Sequence, residues 1–389
     1  MQRGVKILIL MVLPAVLVAQ GITTSDDAVQ AALANHPLVK AAAYTVQAKK
    51  YSEKTALNLP NPDLITESPT GEFYAIGVSQ SFEFPTVYKH QKQVAKAETA
   101  LAEANQRISE NDLRYTVRQL YLDAQLATFE QTLSAQNDSI FQLLANTAKR
   151  QFDAGDIDFL EKTRVEQAAG KAHQANISAA QHTAALKNQL ATWTALTNLS
   201  NFTPLQPDTL VLNAAPIEKE NPQVTYAAQA ATVAERQTAL AKSKGLPTFT
   251  VGYLNQGPRN TPVPYRLRAG IGMPLWYGQY NNAQKSAENE VNAAQNRLEA
   301  AVRTVALERA QLESEMAIAL AQIRYYEKEA LPGNTVVATT ALRMREAGQM
   351  DYSAYLRVLD DVYQVKKAYA EQVYAFNTGL IKLRYLAGD

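Results

Sequence analysis

Arg150-Gln-Phe-Asp-Ala-Gly155-Asp-Ile-Asp158 returns 193 residues later as Arg343-Met-Arg-Glu-Ala-Gly348-Gln-Met-Asp351. Each copy closes a long helical pattern with a glycine and opens the next with an aspartate. Glycine at a helix end takes the left-handed conformation that stops the helix, and aspartate caps the first turn of a new one. Working outward, the rest of the chain is duplicated in the same order. His36-Pro37 matches Asn221-Pro222, Pro60 matches Pro247 and Pro85 matches Pro274, at offsets of 185, 187 and 189 residues. The slow drift is that of small loop insertions, and an internal repeat fixes architecture before any single motif does. The repeating unit is two strands followed by a very long helical hairpin.

The helical part is legible from its breakers and its period. Thr86 to Asp153 holds no proline, and Gly155 is its first glycine. Leu101, Ile108, Tyr115, Leu122 and Phe129 recur every seven residues, as do Val291, Leu298, Val305, Leu312, Ala319 and Tyr326 in the second half. A sustained heptad makes helices wrap with a left-handed supercoil. At about 1.5 Å per residue the first rod would reach about 100 Å, the length of a stalk or a wall. Returning helices are expected from Asp158 to about Leu199 and from Asp351 to about Leu386. Pro332-Gly333 predicts a kink or break in the second rod. Taken alone, such helices read as an ordinary dimeric coiled coil.

Between the proline marks the period changes to two. Glu72 to Phe84 sets Tyr74, Ile76, Val78, Phe82 and Phe84 against Ala75, Gly77, Ser79, Ser81 and Glu83. Leu267, Ala269, Ile271, Met273 and Leu275 alternate with Arg266, Arg268, Gly270 and Gly272, and Phe249, Val251 and Tyr253 with Thr248, Thr250 and Gly252. Asp63 to Ser68 has a poorer pattern. One hairpin of this kind reads as a small soluble unit with one buried face. Two equivalent hairpins in an exported chain read as lipid-facing barrel strands, with Phe73, Tyr74, Phe82, Phe84, Tyr253 and Trp276 suited to interfacial girdles. Lipid-exposed sheets must close, and four strands fall short of the practical minimum of about eight. The chain is therefore expected to oligomerise, three copies supplying twelve strands.

Export is read from the N-terminus. Arg3 and Lys6 precede an apolar run from Ile7 to Val18, followed by Ala19-Gln20-Gly21, the layout of a cleaved signal peptide. The run is too short to span a bilayer as a helix. Net charge is +1, with 38 basic and 37 acidic residues interspersed, which gives no footprint for nucleic acid. Cysteine is absent, which excludes disulfides, thiolate catalysis and a thiolate metal site. His36, His90, His173 and His182 do not cluster at ligand spacing. Met344 and Met350 flank the second tip and read as packing residues rather than a soft-metal relay. There is no phosphate loop, HExxH or Ser/His/Asp constellation, so neither an enzyme nor a cofactor is expected.

Together these features resemble the TolC family of outer-membrane efflux channels over essentially the whole mature chain. The specific residues are Gln80-Ser-Phe-Glu-Phe-Pro85 with Gly272-Met-Pro274-Leu-Trp276 at the strand–helix junctions, and both tips. Leu160-Glu161 follows the first tip, and Val358-Leu359-Asp360-Asp361 follows the second. Phe84 to Tyr88 and Phe159 to Thr163 look most like the heavy-metal branch, the CusC/CzcC-like channels. The resemblance implies a mainly α fold with a small β part: a trimer with a twelve-strand outer-membrane barrel and a periplasmic helical barrel. It implies a passive conduit fed by an inner-membrane pump of the resistance-nodulation-division class through a periplasmic adaptor.

On this reading residues 1–20 are the leader, 21–59 an N-terminal helix, and 60–85 the first barrel hairpin. Residues 86–200 form the first periplasmic hairpin, and 201–246 the linker and second N-terminal helix. Residues 247–275 form the second barrel hairpin and 276–389 the second periplasmic hairpin. Adaptor docking falls on Arg150, Gly155, Asp156, Leu160, Arg343, Gly348 and Gln349. The junction is Phe84, Pro85, Pro274 and Trp276. Asp158 and Asp351 read first as N-caps; with Asp360 and Asp361 they are also candidates for a gate or a cation-selecting carboxylate ring. The competing class is a soluble periplasmic helical-hairpin adaptor, though such proteins carry one hairpin rather than two of equal size.

Overall fold

The computed structural model describes residues 24–67, 75–195, 202–208, 221–255 and 262–389. The expected leader, and Phe73 and Tyr74 of the girdle, lie outside these residues. The first half contains helices α1 (Ser25–Asn35) and α2 (Pro37–Thr55), strands β1 (Asp63–Glu67) and β2 (Ala75–Phe82), and helices α3 (Pro85–Ala154) and α4 (Phe159–Thr194). The second half repeats the order: α5 (Pro222–Ser243), β3 (Thr248–Asn255), β4 (Leu267–Gly272), α6 (Tyr277–Tyr325), α7 (Leu331–Glu346) and α8 (Tyr352–Ala387). The 70 residues of α3 extend about 105 Å.

The His36-Pro37 and Asn221-Pro222 pairs are helix starts. His36 Nδ1 accepts from the Leu38 N–H, and Asn221 Oδ1 accepts from the N–H groups of Gln223 and Val224. Proline follows at the first helical position, where its missing N–H costs nothing. One N-terminal helix was expected over 21–59; His36-Pro37 divides it into α1 and α2 because proline cannot continue the preceding ladder.

Of the kink or break expected at Pro332-Gly333, the break does not occur. A π-turn over Tyr326–Ala330 joins α6 to α7, with the Leu331 N–H bonded to the Tyr326 carbonyl five residues back. The wider turn absorbs the missing donor and the ring clash of Pro332, so the rod runs on.

The strands form one antiparallel sheet in the order β1-β2-β3-β4. The two hairpins are thus joined through β2 and β3, with Ile76 opposite Asn255 and Phe82 opposite Phe249. Below the sheet, packing orders the long helices towards the tips as α4, α3, α8 and then α6 with α7, while α5 packs between α3 and α6 and α1 and α2 lie against α3. Buried apolar residues form separate clusters along the rod. Ala28, Val29, Leu113, Val117, Tyr121 and Leu190 make one, and Val224, Val305, Leu312, Leu383 and Leu386 another.

The two heptads fare differently. Val305, Leu312 and Ala319 of α6 are buried, whereas in α3 only Leu122 of its five is. Helices flank α3 on several sides, so its deepest stripe is Leu113, Val117, Tyr121 and Ala124. Its seam with α8 repeats at eleven residues. Tyr363 bonds Ser134, Tyr374 bonds Asp123 and Tyr385 bonds Asp112, a step of eleven on both helices. Eleven residues are three turns of a nearly straight helix, so this seam lacks the left-handed wrap expected of a heptad.

Candidate functional site: hairpin tips and the outward sheet face

Both tips have the same backbone construction. Gly155 and Gly348 have φ of 82° and 70°, the left-handed region that a side chain resists. The Asp156 N–H reaches back to the Gln151 carbonyl, and the Gln349 N–H to the Met344 carbonyl. These paired bonds satisfy carbonyls that the helix end would leave orphaned. Asp158 Oδ1 then accepts from the Glu161 N–H at 2.7 Å, and Asp351 Oδ1 from the Ala354 N–H at 2.6 Å. The N-cap reading of both aspartates is the role the geometry displays.

The side chains of the two tips differ. Phe159 and Tyr352 are equivalent positions, each directly after the capping aspartate. Phe159 is 68% exposed, beside Leu160 at 58%, whereas Tyr352 is 2% exposed. Tyr352 ties the tips together. Its hydroxyl donates to Gln151 Oε1 at 2.8 Å, and its N–H donates to Glu161 Oε1 at 3.2 Å. That N–H begins α8 and has no partner within the helix, so the neighbouring hairpin supplies one. The Arg345 guanidinium lies 3.6 Å over the Tyr352 ring and donates to the same Gln151 oxygen at 3.1 Å. Arg164 bonds Ser353 Oγ at 3.0 Å.

Of the residues expected at the tips, Arg150 bonds Thr147, on its own helix. Gly155, Asp156, Leu160, Arg343, Gly348 and Gln349 are not brought into the cross-tip network, and Asp156, Leu160 and Gln349 are exposed. Gln151, Glu161, Arg345 and Tyr352 carry it instead. The available signal was the substitution of Phe159 by Tyr352 between repeats, which adds one hydroxyl in need of a partner. Asp360 and Asp361 lie higher on α8 and are exposed. They line a groove of about 440 Å³ together with Lys171 and Arg357.

Midway up the first hairpin, Asp138 accepts from His173, Asn176 and Gln142. Those bonds, His173 first, hold its carboxyl below the usual aspartate range. Among the described residues no group of three or more His, Asp or Glu is arranged to hold a metal ion.

The sheet presents its apolar side to the surroundings. Leu64, Val78, Tyr253 and Leu267 are consecutive cross-strand partners. They form a row across all four strands, exposed by 73%, 47%, 37% and 63%. Val251 and Ile271 extend this face. The opposite face carries Ser79, Gly252 and Arg268 in register, then Ser81, Thr250 and Gly270. A soluble sheet would bury the first face; here that face is exposed, while on the second Ala75, Gly77 and Leu254 are buried and Ser81, Arg268 and Gly270 are exposed. An outward apolar face is what a lipid-facing barrel strand requires. No described helix is long and apolar enough to cross a membrane.

The junctions also differ between repeats. Phe84 is half-buried, its ring 6.1 Å from that of Phe249, and Pro85 starts α3. Pro274 is half-buried, whereas Trp276 is 76% exposed and caps α6 without a side-chain bond.

No protein-family model matches the sequence, and no curated protein matches it. Solved structures do. The chain is similar to the crystal structure of CusC, at 15% identity and a TM-score of 0.80 over 95% of both chains. It is similar to the Campylobacter jejuni CmeC outer-membrane channel, at 13% identity and a TM-score of 0.72 over 94% of this chain and 85% of that one. It is also similar to the Vibrio cholerae outer-membrane protein VceC, at 14% identity and a TM-score of 0.74 over 93% and 96%. The fold is that of these outer-membrane channels, and in a single chain the barrel is not closed.

Proposed function

We propose that this protein is the outer-membrane channel of a tripartite efflux system, a passive conduit rather than an enzyme. The observation that carries the reading is the four-stranded sheet with an exposed apolar face and two open edges, continuous with a wall of helices about 100 Å long. Open edges are not tolerated in hydrocarbon, so copies of the chain close the ring, and three of them supply twelve strands. The leader delivers the chain across the inner membrane, and the barrel holds it in outer-membrane lipid.

The tips, farthest from the barrel, are where a periplasmic adaptor docks, bringing substrate from an inner-membrane pump of the resistance-nodulation-division class. The exposed Phe159–Leu160 pair and the left-handed glycines Gly155 and Gly348 offer small and apolar surface for tip-to-tip contact, rimmed by Arg150, Asp156, Arg343 and Gln349. The Gln151–Arg345–Tyr352 contact holds the two hairpins of one chain together and so opposes opening at that end. Asp158 and Asp351 spend an oxygen on their caps, which leaves Asp360 and Asp361 as the freer pair for a cation ring. Heavy-metal cations as cargo rest on the sequence resemblance at Phe84 to Tyr88 and Phe159 to Thr163.

The test is ionic current. Protein extracted from outer membranes and added to a planar lipid bilayer is expected to give discrete conducting steps. A protein that stays in the soluble periplasmic fraction and carries no current contradicts the proposal. Loss of the gene sensitising cells to metal ions but not to drugs supports metal cargo, and the converse contradicts it.

A further inference from the structure

Gly170 and Gly333, in helix interiors, meet no neighbour among the described residues. Gly170 stands eleven residues from the start of the 36-residue helix α4, and Gly333 lies in α7. Each is exposed with ordinary helical geometry, and a Cβ added to either would meet nothing within 4 Å. An interior helical glycine costs about 1 kcal/mol relative to alanine, so open space on all sides is a poor reason to keep one. Glycine permits the close approach of another backbone, and here that backbone is not among the described residues of the chain.

Their location says what approaches. In the wall, α4 is one outer helix and α6–α7 the other, just as β1 and β4 are the outer strands. The buried residues of α4, such as Val165, Ala169 and Ala172, face the wall, which turns Gly170 outward. On α7, Asn334 bonds the Val362 carbonyl of α8 and Ala341 is buried, which turns Val336, 64% exposed, outward at the opposite edge. The Arg164–Ser353 and Asn334–Val362 bonds tie the heights of α4, α8 and α7 together. Carried along the helices, they place Gly170 level with Val336 to within about a residue, with Gly333 about one turn away. A rotation about an axis along the wall preserves height. It therefore brings the α4 edge of one copy against the α7 edge of the next.

We propose that Gly170 is the point of closest helix approach in the seam between copies, where it receives the Val336 side of α7 from the neighbouring chain. This rests on the ring of copies argued above and adds its contact and register. Val336 is the projecting group and the glycine the recess that admits it. Gly333 on the same turn lets the two backbones come closer still.

The chain has no cysteine, so disulfide trapping carries no background. The experiment pairs Gly170→Cys in turn with Glu329→Cys, Val336→Cys and Arg343→Cys, which bracket the level by two turns. Near the tips α4 meets α8 directly and α8 meets α7, so within one chain the two edges are about two interhelical spacings apart, roughly 16–20 Å, still beyond a disulfide. Any bond is therefore between chains. Oxidation is expected to give a covalent ring that resists denaturation, fastest with Val336→Cys, while Gly170→Cys with Ile318→Cys, about 27 Å off in height, gives none. Gly170→Leu should leave the single chain's helicity intact yet weaken assembly at least tenfold. A ring of native mass in which none of the three pairs crosslinks overturns the seam but leaves the channel reading standing. A protein whose native mass is one chain overturns both.

Discussion

Tyr374 donates its hydroxyl to Asp123 Oδ1 at 2.8 Å, the middle rung of the eleven-residue ladder that joins α8 to α3. Gln119 serves both groups, at 2.9 Å from each. It joins the last helix of the second repeat to the first rod of the other, one of several contacts that make the two repeats a single wall. Tyr374→Phe leaves the packing in place and removes one half-buried bond to a charged acceptor. It is expected to cost about 1.5–3 kcal/mol in denaturant unfolding, and a loss below about 0.5 kcal/mol would show the rung to be incidental.

Alkaline titration reads the same rung. Burial first, and then the Asp123 carboxylate, push the Tyr374 hydroxyl up to about 12, and burial with Glu327 does the same for Tyr369. The folded chain thus holds these protons more tightly than the unfolded one, whose tyrosines titrate near 10. Their contribution to stability is full below about pH 10 and is lost as pH rises towards about 12. Tyr374→Phe should flatten part of the stability loss in that window, seen in melting temperature against pH. An unchanged profile contradicts the assignment.

The cross-tip contact predicts opposite effects from two substitutions. Arg345→Ala removes both the stack on Tyr352 and the bond to Gln151, and is expected to raise single-channel conductance. Gln151→Glu turns a neutral acceptor into a charged one facing the same guanidinium, a stronger bond, and is expected to lower it. Equal conductance in all three proteins would show that the contact does not restrain the tip.

At the caps, aspartate and asparagine separate two roles. Asn caps a helix as well as Asp does, so Asp158→Asn and Asp351→Asn should keep stability, while the alanine variants lose about 1 kcal/mol each. If the asparagine variants also lose cation preference in bilayer recordings, the carboxylates act in the pore; unchanged preference restricts them to capping.

The outward sheet face is tested by charge. Val78→Arg sits in the row from Leu64 to Leu267 and is expected to cost about 2–4 kcal/mol if that row lies at the bilayer midplane. Ser79→Arg, one residue on, points to the other face and should assemble. Outer-membrane yield of the two variants decides; a well-tolerated Val78→Arg contradicts a lipid-facing wall.

Much of this was legible in the sequence, for identifiable reasons. The alternation from Ala75 to Phe82 and from Thr248 to Asn255 gives strand and face together, because a residue's parity fixes its side. Gly155 and Gly348 mark the tips because little else tolerates positive φ there. What could not be read was any relation between distant helices. Gln151, Glu161, Arg345 and Tyr352 belong to no local pattern, and only the packing of α3, α4 and α8 brings them together. Pro332 reads as a kink or break because proline ordinarily interrupts a ladder, and the π-turn that carries the helix through it leaves no mark of its own. The heptad through Leu101 and Ile108 misled for a related reason: α3 has helices on several sides, so no single stripe is its core.

The central claim is that one chain is a fraction of a closed barrel, and the number of chains tests it most directly. Native mass spectrometry of protein extracted from the outer membrane in detergent or lipid nanodiscs is predicted to give three copies, and hence twelve strands. A single chain, or an assembly too small to supply about eight strands, would contradict it.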